Sequence, residues 1–168
     1  MMSIKGKGFI LKLMTIKDAQ GYLECHKDKE AKKNFMSVPK NLKEARAEIK
    51  EGLTGEKLLW AIKVDDKFAG FIHLKLNKNP KHKHSATIGY GIHPEFRGRG
   101  LATGATKLVT KYGLNNLGLV RIDGWCRTFN KASARVMEKA GYKLEGILRK
   151  NKFKDGKYLD DMIWAKVK

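Results

Sequence analysis

Residues 97 to 104 read Arg-Gly-Arg-Gly-Leu-Ala-Thr-Gly, and their types and spacing suit them to holding an anion. Gly98 and Gly100 allow turns that a β-carbon would forbid, and they let the backbone approach a ligand closely. Leu101, Ala105, Leu108, Val109 and Tyr112 then recur at one-face spacing, which predicts a helix from Leu101 to about Tyr112. The start of such a helix offers unpaired N–H groups and the positive end of its dipole to an anion. Arg97 and Arg99 add charge, and the apolar run Ala86 to Ile92 just before reads as a strand. The result is a pyrophosphate cradle at a strand-to-helix junction.

Two well-known cradles do not fit. A Walker loop ends in Gly-Lys-Ser/Thr, and the chain has no such tripeptide. The dinucleotide fingerprint needs a third glycine three residues after Gly100, where Thr103 stands, and several strands precede the loop instead of one. A second set of residues lies further on: Asn130-x-x-Ser133, then Glu138-Lys139-Ala140-Gly141-Tyr142, Leu144-Glu145-Gly146 and Tyr158-Leu159-Asp160-Asp161.

The loop Arg-x-x-Gly-x-Ala after Tyr90-Gly91-Ile92-His93-Pro94 resembles the coenzyme A loop of the GNAT N-acetyltransferase superfamily. With the Asn-x-x-Ser helix and the Leu-Glu-Gly hairpin, the resemblance extends to its ribosomal-protein N-terminal acetyltransferase branch. It covers nearly the whole chain, most strongly Ala86 to Met162. It implies an α/β GNAT fold: a central mixed, mostly antiparallel sheet with a splayed cofactor wedge and helices on both faces. It implies acetyl-CoA as cosubstrate, whose pantetheine arm pairs with backbone groups of Tyr90, Gly91 and Ile92 as a surrogate strand. The pyrophosphate is expected on the amides of Gly98, Arg99, Gly100, Leu101, Ala102 and Thr103 beside Arg97, and Asn130 is expected to hydrogen-bond the pantetheine while capping its helix. Homodimers are implied by the same resemblance.

The reaction expected is direct attack of a primary amine on the thioester, with positioning and an oxyanion-stabilising N–H doing most of the work. The resemblance assigns that N–H to Ile92 and the acid that reprotonates the thiolate to Ser133. Ser133 has a competing reading as a first-turn capping residue. Many superfamily members carry a Tyr where this chain has Met137. Some carry a Glu where Trp125 stands, and others an acid at a position aligned with Lys152. The general base is therefore unassigned, with Asp160, Asp161, Glu145 and His73 as candidates. An α-amine of pKa about 7.8 is about 15% neutral at pH 7, against about 0.04% for a lysine. A site without a strong base favours a protein N-terminus over a lysine side chain.

The elements that must hold these groups can be read around them. Gly8 to Met14 is a strand, and Thr15 with Asp18 forms a capping box for a helix to about His26. Asn41 with Glu44 opens a second helix ending near Gly52. Lys57 to Val64 and Phe68 to Leu76 flank a turn at Asp65-Asp66-Lys67, and Ser85 to Ile92 leads into the cradle. Leu119 to Trp125 is a strand. Asn130 caps a helix whose Ala132, Val136, Met137 and Ala140 face inward, and Gly141 stops it. Tyr142 to Phe153 and Tyr158 to Val167 pair around Lys154-Asp155-Gly156-Lys157. The order β-α-α-β-β-β-α-β-α-β-β across 1–168 reads as one domain, able to bury about two-thirds of its unfolded surface.

Cys25 and Cys126 are too few and too far apart for a disulfide framework, which suits reduced thiols and a cytoplasmic protein. Met1 to Lys7 has no apolar signal core, and no run approaches the ~20 residues of a membrane span. His82 and His84 lack a third ligand, so no metal site is expected. The net charge of +19 is carried throughout the chain. It suits association with RNA or the ribosome and disfavours free polyamines, although lysine richness of composition alone would also produce it. Besides an N-terminal acetyltransferase, two readings stay open. One is an enzyme acting on an aminoglycoside or other small amine. The other is a non-catalytic acyl-CoA- or RNA-associated module, although no RNA-reading signature is present.

Overall fold

A computed structural model describes residues 3–53 and 57–168; Met1 and Met2 of the N-terminal stretch, and residues 54–56, lie outside the described residues. The described residues form eight strands: β1 (Ser3–Gly6), β2 (Phe9–Leu13), β3 (Lys57–Val64), β4 (Lys67–Leu76), β5 (Ser85–Ile92), β6 (Arg121–Arg127), β7 (Lys143–Lys154) and β8 (Lys157–Val167). The helices are α1 (Ala19–Glu24), α2 (Lys29–Asn34), α3 (Leu42–Gly52), α4 (Leu101–Asn116) and α5 (Lys131–Lys139). One sheet runs β1-β2-β3-β4-β5-β6-β8-β7. Every described neighbouring pair is antiparallel except β5 with β6, which α4 joins by a crossover.

Two turns are tighter than the sequence suggested. Asp65 and Asp66 both take positive φ (47° and 59°), as do Asp155 and Gly156 (50° and 75°), so each hairpin closes in two residues and the flanking lysines join the strands. The first strand also has a partner that the sequence did not betray. β1 is a short edge strand whose burial alternates between exposed and half-buried, leaving little apolar pattern to detect.

Helix α2 was likewise missed, because Ala31 is its one buried residue and no apolar period exists to find. Its start is nevertheless encoded, since Asp28 Oδ1 accepts the Ala31 N–H at 2.8 Å. Other boundaries moved by a few residues. α1 stops at Glu24, α4 continues to Asn116, and β6 begins at Arg121 because Leu119 turns back to bond Gly113 O at 3.1 Å. Ala132 is exposed rather than inward-facing, while Met137 is fully buried.

Strand alternation sends successive side chains into two cores. Trp60, Ile62, Ile72 and Leu74 pack with Leu101, Ala105 and Val109 of α4 and Met137 of α5. Leu59, Ala61 and Phe71 face the other way, against Tyr22 and Leu23 of α1 and Ala45 and Ile49 of α3. Helices thus cover both faces, and the sheet between them is the frame of the site.

Candidate active site

β5 and β6 run side by side only from Ser85↔Arg121 to Ile88↔Gly124. Beyond that point they part: β5 stays with β4 as far as Gly70↔Ile92, and β6 follows β8 as far as Arg127↔Asp161. Backbone bonds along an antiparallel ladder alternate in direction. The bonds Asn77 N–H to Ser85 O (3.1 Å) and His93 N–H to Ala69 O (2.9 Å) set that alternation for β4 and β5. Gly89 and Gly91 therefore direct their backbone groups at β4, whereas Tyr90 and Ile92 direct theirs into the gap that β6 has left. The Ile92 carbonyl accepts from Arg97 Nε at 3.2 Å. Gly91 contributes through what it lacks: a β-carbon there would meet the Phe71 ring at 2.5 Å and Phe35 at 3.3 Å.

A cavity of about 700 Å³ occupies the gap. Cys25, Glu30, Asn34 and Phe35 line it on the α1–α3 face, and Leu101, Asn130, Ser133 and Val136 on the α4–α5 face, so it passes through the sheet. At the second mouth Gly98, Gly100, Leu101, Ala102 and Thr103 form the wall. Gly98 and Gly100 hold φ of 77° and 75°, with open space where a β-carbon would be. Their glycine requirement is one of conformation, not room. No side chain caps α4, so its first N–H groups remain to be satisfied from outside.

The two loop arginines part company. Arg97 lines the cavity and pairs with Asp28, the cap of α2. Arg99 turns back, donating to Glu95 O at 3.0 Å and stacking over Phe96 at 5.0 Å. Burial alone would raise the Asp28 carboxyl, but donation from Arg97 and the Ala31 N–H outweighs it and holds the carboxyl below its ordinary value.

Across the cavity Asn130 Oδ1 accepts the Ser133 N–H at 3.0 Å, which fixes the first turn of α5. The Ser133 hydroxyl sits 2.8 Å from the Tyr90 hydroxyl. Tyr90 was anticipated for its backbone; its side chain, brought over Ser133 by the fold, was not. Burial raises the Tyr90 phenol, so it is neutral at physiological pH. Burial also raises Cys126, next to Ser133, and pushes Cys25 to about 12. Both cysteines line the cavity as thiols, poorly suited to nucleophilic catalysis.

The base candidates fare differently. His73 of β4 is half-buried against Gly89 of β5 and does not line the cavity; desolvation of its ring drives its pKa down to about 3. Glu145 pairs with Arg121, and Asp160 accepts the Lys150 N–H at 2.7 Å. Asp161 does line the cavity, buried and paired with Arg127. Residues the sequence reading left out of the site also line it: Glu30 and Asn34 of α2, Arg127, Arg135, Lys139 and Lys152. Arg135 and Lys139 stand one turn apart on α5, and that spacing was legible. The α2 pair had no apolar period to announce it.

An open mixed sheet with one parallel splay, a glycine turn against an uncapped helix and a cavity through the sheet define an α/β scaffold suited to an elongated anionic ligand. Residues 9–143 match the acetyltransferase (GNAT) domain family, and the chain belongs to it. An uncharacterized N-acetyltransferase of Bacillus subtilis, YoaA, is 39% identical over 88 residues, 52% of this chain and 49% of the relative, so the match spans about half of that protein's length. A GNAT-family acetyltransferase structure from Bacillus anthracis superposes with a TM-score of 0.89 at 23% identity, over 99% of this chain and 98% of that one. RimL, a ribosomal-protein alpha-N-acetyltransferase solved with coenzyme A, superposes with a TM-score of 0.85 at 18% identity, over 96% and 94% of the two chains.

Proposed function

We propose that this protein transfers an acetyl group from acetyl-CoA directly to a primary amine, and that the amine is a protein N-terminal α-amine. The observation that carries the reading is the splay after Ile88 and Gly124, with the Tyr90 and Ile92 backbone groups turned into it beside the uncapped start of α4. An extended pantetheine arm can pair with Tyr90 and Ile92 as a missing strand would. Amides of Gly98 to Thr103 take the pyrophosphate, with Arg97 beside them. Gly91 keeps the wall flat, and Arg99 supports the turn through Glu95 and Phe96. Arg135 and Lys139, one turn apart on α5, supply further positive charge to the cofactor's phosphates. Asn130 uses Oδ1 for its helix and leaves Nδ2 to donate to the arm.

Bound acetyl-CoA supplies a thioester carbonyl open to attack. The Ile92 N–H stabilises the developing oxyanion. Ser133, with Tyr90 behind it, returns a proton to the departing sulfur. Among the described wall carboxylates, Asp161 is committed to Arg127. Glu30, joined to Asn34 Nδ2 at 3.4 Å, remains to accept a proton through water. That modest provision suits an α-amine far better than a lysine. The RimL likeness and the charge of +19 support a cytoplasmic enzyme working on ribosomal proteins.

Purified ribosomal proteins incubated with the protein and isotope-labelled acetyl-CoA, then mapped by mass spectrometry, test this directly. Label is expected on a defined N-terminus and absent from lysines. Label confined to added small amines would move the acceptor class, and an acetyl-CoA complex that transfers nothing would refute the transferase reading.

A further inference from the structure

The β6–β8–β7 wall of the cavity, which the proposed cofactor position leaves open to an acceptor, has a charge pattern of its own. Cross-strand partners share a sheet face, as do alternate residues of a strand. Lys152 partners Leu159, Leu159 alternates with Asp161, and Asp161 partners Arg127, which alternates with Trp125. Trp125, Arg127, Asp161 and Lys152 therefore stand on one face and line the cavity together. It is the α1–α3 face, because Ile122 belongs to the opposite core and Trp125 and Arg127 are out of phase with it.

Of these groups Asp161 is spent. One carboxylate oxygen takes Arg127 Nη1, and the other takes Asn151 Nδ2 at 2.7 Å. Arg127 is not spent. It is 7% exposed, and its Nε–H has no partner among the described residues. A buried guanidinium N–H without an acceptor is costly, which suits a place kept for a ligand oxygen. Lys152, exposed and with no carboxylate partner among the described residues, supplies a second cation on the same wall.

We propose that Arg127 Nε–H and Lys152 Nζ form a subsite for a carboxylate on the acceptor, so that the favoured amine carries an acidic group a few bonds away. The inference rests on the acetyl transfer proposed above and concerns what the acceptor carries beside its amine; a free amino acid would replace the protein N-terminus named there, and an acidic first residue would specify it. Two donors suit the two oxygens of a carboxylate, and the exposed indole of Trp125 gives the acceptor's carbon skeleton an apolar surface. The carboxylate can be that of a free α-amino acid or the side chain of an acidic first residue of a peptide. A polycationic amine meets like charge at the same place.

Initial rates on two matched pairs separate these sources: a free amino acid against its amide, and a tripeptide amide beginning with aspartate against its asparagine counterpart. At least one acidic member should be favoured by about tenfold in kcat/KM, mainly through KM. Preference in the first pair assigns the main-chain carboxylate, and preference in the second the side chain. Lys152→Met, on an exposed position that folding tolerates, should erase the preference, and Lys152→Glu should turn it toward the neutral members. Equal rates within both pairs, or a preference untouched by Lys152→Met, would overturn the subsite while leaving the transferase intact. Failure to acetylate any of the four while ribosomal proteins are labelled would overturn the subsite alone, and failure on both sets would remove the transferase reading as well.

Discussion

At the scale of single residues, the proposed transfer needs a proton for the departing sulfur, and two neighbouring hydroxyls are placed to give it. The Tyr90 and Ser133 hydroxyls lie 2.8 Å apart, and burial keeps the phenol protonated. Either hydroxyl can stand in for the other, so their losses should not add. Ser133→Ala and Tyr90→Phe are each expected to lower kcat by only about threefold, and the double variant on the order of a hundredfold, well beyond the product of the two. Single-turnover rates with folding checked by circular dichroism decide it. Full turnover in the double variant would hand the role to water.

At the scale of elements, α2 shapes the cavity wall that the proposed transfer leaves to the acceptor, because Glu30, Asn34 and Phe35 reach the cavity from it and its adjoining residue. So short a helix has little intrinsic stability and depends on tertiary ties. The Asp28–Arg97 pair binds its start to the glycine loop, and Lys154 Nζ donates to the Lys32 and Phe35 carbonyls at its end. Asp28→Asn keeps the cap bond and deletes the ion pair, a change on the order of 1 kcal/mol or less for so exposed a pair. The acceptor KM should rise severalfold and amides 31–34 should exchange faster, with acetyl-CoA affinity undiminished because Arg97 is released toward the phosphates. The Asp28 carboxyl is held below its ordinary value when folded, so its contribution is complete above the unfolded pKa of about 3.9 and fades as pH falls through the lowered one. Between pH 5 and 8 this tie is expected to leave the acceptor KM level. A titration of KM near neutrality that Asp28→Asn abolished would contradict the assignment.

For the whole molecule, charge dominates. A net +19 produces a field that gathers polyanions over distances comparable to the Debye length. If the field serves docking, acetylation on intact ribosomes should fall with added salt with a log–log slope of several, as counterion release requires. A short peptide bearing the same N-terminus should show a slope near one or less. Equal slopes would mean that the lysines do not recruit the substrate. Among the described residues no helix is long and apolar enough to cross a membrane.

Much of this protein was written locally. Apolar runs and the turn at Asp65-Asp66 marked β3, β4 and β5, Asn41 and Asn130 marked their helices, and Gly98 with Gly100 marked a turn that needs left-handed backbone. These signals are local because propensity, capping and positive φ depend on a few neighbouring residues. The short α2 and the edge strand β1 escaped because neither carries an apolar period. What only the tertiary structure decided are relations between distant residues. These include the parting of β5 from β6, the Tyr90 hydroxyl over Ser133, Arg97 drawn to Asp28, and Lys152 on one face with Trp125 and Arg127. No local pattern encodes them, since they follow from sheet order and register, which are set by the packing of the whole chain.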